Sequence, residues 1–284
     1  MVDNLPDIQE TKPEIEIPIN QVGVENVEVP FSLEARDTIS HYNLLANVSM
    51  RTNIKKDVKG VSMSRFIGTL QDYLGMPLKH KMIYKLLKDM KNRMESDHTY
   101  MKFEFKFPKM RKSPKSMNTF PLFYKCSFEG QLESFDTSKY IFKFYQGVTV
   151  QYASYCPCSA GLCHHLKFTE GVNGFPHAQR SFANILVETK EPNYVWLEDI
   201  IDDVEGAIAT LPYPIIKRID EQEIARIAAD NPIFVEDAIR QISKALNDNK
   251  KYHDWIVKCT HEESIHTSEA IAMNWKGIEN GFNG

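Results

Sequence analysis

The chain alternates between two hydrophobic periods, and the change from one to the other marks out its elements. Leu44, Ala46, Val48 and Met50 are apolar while Asn47 and Ser49 are polar, the period of two that a half-buried strand needs, although Leu45 is also apolar. Met101, Phe103, Phe105 and Phe107 alternate with Lys102, Glu104 and Lys106, which predicts a strand with one wet face. Between these two the period lengthens. Met63, Phe66, Ile67, Leu70 and Leu74 fall on one helical stripe, and Ile83, Leu86, Leu87, Met90 and Met94 on another. Val27–Arg36 reads as an earlier strand. A basic loop with Lys109, Arg111, Lys112, Pro114 and Lys115 leads to a further strand near 119–128.

The second half repeats the order. Ile141–Tyr155 and Ala178–Glu188 read as strands, and Leu197, Ile200, Ile201, Val204 and Ile208 form a helical stripe. Asn231-Pro232 offers a capping side chain and a first-turn proline ahead of the stripe Val235, Ile239, Ile242 and Leu246. Residues 219–229 suggest an additional helical turn or two. Trp255–Cys259 and Ala270–Trp275 close the chain as strands. Both halves therefore read β-β-α-α-β-β, a repeat of pattern without a matching residue repeat. The expected class is α+β, with an acidic, disordered tail over 1–17, one unit over 18–135 and a second over 136–284. Antiparallel sheets must cover or close their edges, so several copies joining edge to edge in a multimeric barrel is the expected assembly.

Composition narrows the function. With 42% hydrophobic and 25% charged residues, the 284-residue chain has the make-up of an ordinary globular protein. Residues 1–28 hold seven acids against one lysine, too polar to repay the entropy of ordering. A net charge of −4 argues against a general nucleic-acid binder. No apolar run is long enough to span a bilayer. Five cysteines without framework spacing, and no basic-then-apolar leader pattern, point to a reducing cytoplasm.

The chemistry concentrates around Cys156-Pro157-Cys158-Ser159 and, eighteen residues intervening after Cys158, His177-Ala178-Gln179-Arg180-Ser181. Two thiols and an imidazole are ligand types for a zinc-like metal. The two cysteines face one side if the strand continues through them; the other reading is a pair of buried small hydrophobes. A hairpin would bring Cys156 and His177 together, with Gln179 and Arg180 placed to fix a ligand or the imidazole tautomer. Cys163, His164 and His165, inside the connection, offer a competing closed site or a solvated loop. Glu236 shares a polar helix face with Arg240, where a surface ion pair is the alternative. Glu221 also reads as solvated charge, and His266 as a polar strand end.

Taken with Ile19-Asn20-Gln21-Val22-Gly23, Gly60-Val61-Ser62-Met63-Ser64-Arg65-Phe66, Lys217-Arg218-Ile219-Asp220-Glu221, Asn231-Pro232-Ile233-Phe234-Val235-Glu236-Asp237 and Glu263-Ser264-Ile265-His266, these motifs resemble the type IB GTP cyclohydrolase I family of the tunnelling-fold (T-fold) superfamily. The resemblance implies two β-β-α-α-β-β units per chain in a homotetramer with interfacial active sites. It implies conversion of GTP and water to 7,8-dihydroneopterin triphosphate and formate, the entry to folate-type pterins. Carried over by motif, Cys156, His177 and Glu221 would bind one divalent metal (zinc, manganese or iron), with His266 as ligand or proton donor. Glu236 would anchor the guanine edge, Glu263 would carry protons, and Cys158 would line the pocket. Ser64 and Arg65 would meet the triphosphate.

The sequence departs from that family at Ser62 and Ser268, where histidines are usual, and in the long 159–176 connection. Three alternatives follow. A T-fold relative forming a cyclic phosphate differs only in product. A deazaguanine nitrile reductase would use a cysteine nucleophile, but its Glu-Ser-Phe-Lys type motif is replaced by Glu263-Ser264-Ile265-His266. The third is a purine- or metal-binding protein without catalysis.

Overall fold

The computed structural model describes residues 8–37, 41–134, 139–193 and 195–282. Of the tail expected over 1–17, residues 1–7 lie outside the described residues. A 3-10 turn follows at Ile8–Glu10, where Gln9 Nε2 donates to the Val61 carbonyl (3.3 Å).

Eight strands and six α-helices occur among the described residues. Chain order runs β1 (Ile19–Leu33), β2 (Tyr42–Ile54), α1 (Met63–Gln71), α2 (His80–Met94), β3 (His98–Lys112) and β4 (Thr119–Ser134). It continues with β5 (Tyr140–Tyr155), α3 (Pro157–Glu170), β6 (Ala178–Thr189), α4 (Leu197–Ala207), α5 (Arg218–Asp230), α6 (Val235–Asp248), β7 (Asp254–Glu262) and β8 (Glu269–Trp275). The strands hydrogen-bond in the order of the chain, β1 through β8. The mixed α+β class expected from the alternating periods is the class observed, with α3 and α5 added to the second β-β-α-α-β-β run.

Four local readings change. The basic segment around Lys109 and Arg111 continues β3 and is not loop, because its charges find partners: Lys109 and Arg111 pair with Glu205, and Arg111 donates to the Tyr124 hydroxyl (3.1 Å). The 159–176 connection contains α3, started by Pro157 at its first position and closed by Gly171 at φ 69°. The stretch near 219–229 is a full helix of 13 residues. Finally, α6 begins at Val235 with Phe234 as its cap, so Asn231 ends α5 and Pro232 lies in the connection.

By compactness the chain divides into Met1–Lys106 with Ser127–Tyr145, and Phe107–Cys126 with Gln146–Gly284. In the first unit, Val48, Met50, Met101 and Phe103 turn inward with Ile83, Leu86, Leu87 and Met90 of α2. Edge-to-face rings continue that core, Phe31 to Phe105 at 5.0 Å and Phe105 to Phe128 at 5.5 Å. Gly130 permits the close packing of α2, since a Cβ there would stand 2.5 Å from Ile83 Cγ2.

In the second unit, α4 and α6 bury Ile200, Ile201, Val204, Ala238, Ile239 and Ile242, and β7 adds Trp255, Val257 and Cys259. Polar edges are matched. Trp255 Nε1 donates to Asn247 Oδ1 (3.2 Å) and the Tyr252 hydroxyl to Asp203 Oδ2 (2.6 Å). A buried carboxylate fastens the 113–118 turn to α5. Asp220 accepts from the amides of Lys115 (2.8 Å), Ser116 (2.7 Å) and Lys217 (2.8 Å), and from the Ser116 hydroxyl (2.6 Å).

Candidate active site

The second unit gathers its chemical residues where β5, β6 and β7 end. β5 stops at Tyr155, and Cys156 becomes the N-cap of α3, with Sγ accepting from the Ser159 amide (3.5 Å). The strand does not run on through Cys158, so the same-face reading of the two cysteines gives way. Cys156 is half-buried and Cys158 is exposed on the helix. The Cys156 amide donates to the His177 carbonyl (3.2 Å), the proximity expected of a β5–β6 hairpin.

Register places the remaining groups. β6 and β7 are antiparallel, with Arg180 opposite Glu262 and Ser181 opposite His261. One step further out, Gln179 meets Glu263. Gln179 Nε2 lies 2.8 Å from Glu263 Oε2 and 3.0 Å from His177 Nδ1. His177 Nδ1 and Glu263 Oε2 are 3.6 Å apart, both side chains largely covered.

Behind them Ser154 bonds Gln179 Oε1 (2.9 Å), Ser181 Oγ (2.8 Å) and His261 Nδ1 (3.1 Å). Tyr152 reaches His261 Nε2 (2.9 Å). Burial holds the His261 pKa below the ordinary histidine value, opposed by the charges of Glu263 and Glu236. Glu236 lies in the first turn of α6. The Ile233 amide, donating to the Tyr155 carbonyl (2.9 Å), draws the start of α6 toward the end of β5.

The side chains of His177, Gln179 and Glu263 are thus brought together, and Cys156 adjoins His177 through the main chain. Arg180 is exposed on β6, and His266 is exposed in the turn between β7 and β8. Glu221 is exposed in the first turn of α5, next to buried Asp220. Ser64 and Arg65 open α1 in the first unit, where the Ser62 and Ser64 hydroxyls lie 2.8 Å apart.

Thiol and imidazole are ligand types that suit a zinc-type cation, and the Gln179 N–H that reaches His177 Nδ1 makes that nitrogen an acceptor. Among the described residues, however, no three His, Cys, Asp or Glu side chains gather closely enough to hold a metal. Cys156 and His177 are linked through their backbones, and neither Glu221 nor His266 joins them in a metal-holding group among the described residues. Sequence reasoning missed Tyr152, Ser154, Ser181 and His261. Their signal was polar side chains at the core-facing parity of strands that otherwise bury apolar ones.

Fold and site together define an α+β chain whose sheet carries a thiol, an imidazole and a carboxylate at one end. Solved structures with this fold include uricase from Arthrobacter globiformis, at TM-score 0.52 and 8% identity, covering 96% of this chain and 98% of that one. A uricase from Bacillus fastidious gives 0.54 at 8% identity, over 90% and 92% of the two chains. In sequence, GTP cyclohydrolase FolE2 of Cereibacter sphaeroides is 32% identical, over 91% of this chain and 70% of its own length. The Thermosipho africanus FolE2 is 30% identical, over 94% of this chain and 96% of its own. The family model described as type I GTP cyclohydrolase FolE2 matches residues 5–272, and the chain belongs to that family.

Proposed function

We propose that this protein hydrolyses GTP at purine C8, giving 7,8-dihydroneopterin triphosphate and formate, the first step toward folate-type pterins. The observation that carries the reading is a family match across residues 5–272 that contains the Cys156, His177, Gln179 and Glu263 cluster. Purine C8 is a weak electrophile, so the reaction needs an activated water and well-placed proton carriers. Cys156 and His177 are the first two ligands of a divalent metal (zinc, manganese or iron), with Glu221 and His266 the candidates to complete the set. Such a metal, when bound with an open position, supplies hydroxide at ambient pH.

The chain's own groups do the rest. Glu263, held by the Gln179 amide, takes and returns protons during ring opening and reclosure, with His266 as second carrier and Cys158 lining the pocket. Glu236 accepts from the guanine N1–H and exocyclic amine, one carboxylate serving both. Ser64, Arg65 and Arg180 bind the triphosphate, with the altered Ser62 beside them. A donor set incomplete within one chain fits a homotetramer with interfacial sites, formed by T-fold units 18–135 and 136–284 closing a barrel in the cytoplasm.

Purified protein incubated with GTP and each of the three metals tests this. Formate release and a product with the mass of the linear dihydroneopterin triphosphate are expected, both lost on chelation. A cyclic phosphate product moves the chain to the neighbouring chemistry. GTP left intact with all three metals removes the proposal.

A further inference from the structure

Behind His177 and Glu263 lies a run of buried hydrogen bonds that begins at Gln179 and continues through residues given no role in the proposed chemistry. Its members are almost wholly inaccessible: Gln179 is 5% exposed, His261 2%, Tyr152 1%, Ser154 and Ser181 0%. The direction of every bond follows from one end. A carboxylate only accepts, so Glu263 takes an N–H from Gln179 Nε2 (2.8 Å). Gln179 Oε1 therefore faces Ser154 Oγ (2.9 Å), and Ser154 must give its single proton there. Only lone pairs remain on Ser154 for its other neighbours, so both Ser181 and the His261 Nδ1–H donate to it (2.8 and 3.1 Å). With that proton on Nδ1, His261 Nε2 accepts from the Tyr152 hydroxyl (2.9 Å). The environment agrees with both assignments, since burial keeps His261 neutral and Tyr152 protonated.

We propose that Ser154 and His261 are positioning residues for the reaction, locking the Gln179 amide in the one of its two flips that turns its N–H edge to Glu263. This rests on the cyclohydrolase reading. Turned over, the amide would put its oxygen against the Glu263 carboxylate and leave that carboxylate without its N–H donor. Neither Ser154 nor His261 needs to touch GTP. Loss of the lock therefore belongs in turnover and leaves substrate binding alone.

The test is steady-state formate release from GTP at saturating metal, with melting temperature measured alongside. Ser154→Ala removes the proton that Gln179 Oε1 accepts, and kcat should fall about ten- to a hundred-fold, the usual loss when an outer hydrogen-bond partner of a site is removed. KM for GTP should stay within about two-fold, the pattern of an interaction made mainly in the transition state. Two variants of His261 keep the idea open to refutation should Ser154→Ala fold poorly. His261→Asn retains an N–H near the Nδ1 position and should keep most of the parent kcat. His261→Gln carries its amide near the Nε2 position, toward Tyr152, and should behave like the Ser154 variant. Equal kcat in the two His261 variants, or a Ser154→Ala enzyme as fast as the parent, overturns the positioning role. A parent that releases no formate fails at the functional reading instead.

Discussion

His261 is a titratable group ruled by burial more than by its partners. Its pKa lies below the ordinary value despite the nearby Glu263 and Glu236. The unfolded chain therefore takes up this proton at a higher pH than the folded one does, near 6.5 for an ordinary histidine. Stability from this group is fully present above that pH and is lost as pH falls through the folded value. The melting temperature should hold near pH 7 and decline below about 6.5, and His261→Asn should flatten that part of the curve. An unchanged acid slope in the variant would assign the loss to other groups. Cys259 behaves in the opposite sense, its thiol pushed up to about 12 by burial. Cys126, also buried, is likewise raised by burial. A thiol reagent applied to the native protein at pH 8 should label Cys158 rapidly and reach Cys126 and Cys259 only on unfolding. The nearness of Cys156 and His177 was legible because a hairpin sets the end of β5 beside the start of β6. Ser154 and His261 were not, because only the strand register reveals that these two polar residues share a buried interior position.

At the scale of elements, Gly130 and Asp220 each hold two segments together. At Gly130 a methyl would meet Ile83 and Leu87 of α2 at 2.5 and 2.8 Å. Gly130→Ala should cost about 1–3 kcal/mol, the usual penalty of forcing atoms into a filled core, read from urea unfolding. A wild-type midpoint would mean that α2 shifts without cost. Asp220→Ala should release the 113–118 turn, which donates three hydrogen bonds to the Asp220 carboxylate besides the one from the helix-capping Lys217 amide. Trypsin should then cut after Lys112 or Lys115 faster than in the parent, while an unchanged digest would show the turn held by Ser113 alone. Strong periodicity made β2, β3, α1 and α2 legible from the chain. α3 was not, because none of its side chains is buried and no stripe records it. The α6 boundary slipped because Asn231-Pro232 carries the signature of a helix start while serving the end of α5.

For the whole molecule, what the chain leaves uncovered bears on the proposed assembly. β8 stands last in the strand order with Ile271, Met273 and Trp275 exposed by 40% or more. Phe168 on α3 and Phe175 beyond it are exposed by 91% and 87%. Large apolar side chains concentrated on a strand edge and on a helix without buried contacts are what a subunit interface leaves behind when one copy is viewed alone. The proposed ligands Cys156, His177 and Glu221 fit the same reading, since no three such side chains gather among the described residues. The proposed tetramer should give a light-scattering mass about four times the 32.8 kDa of one chain. Met273→Glu, a charge placed on the edge strand, should lower that mass and reduce bound metal in parallel if the missing ligand comes from a neighbour. A dissociated variant that keeps its full metal content would place every ligand within one chain, and Glu221 and His266 would then have to close upon Cys156 and His177 by movement of α5 and the β7–β8 turn.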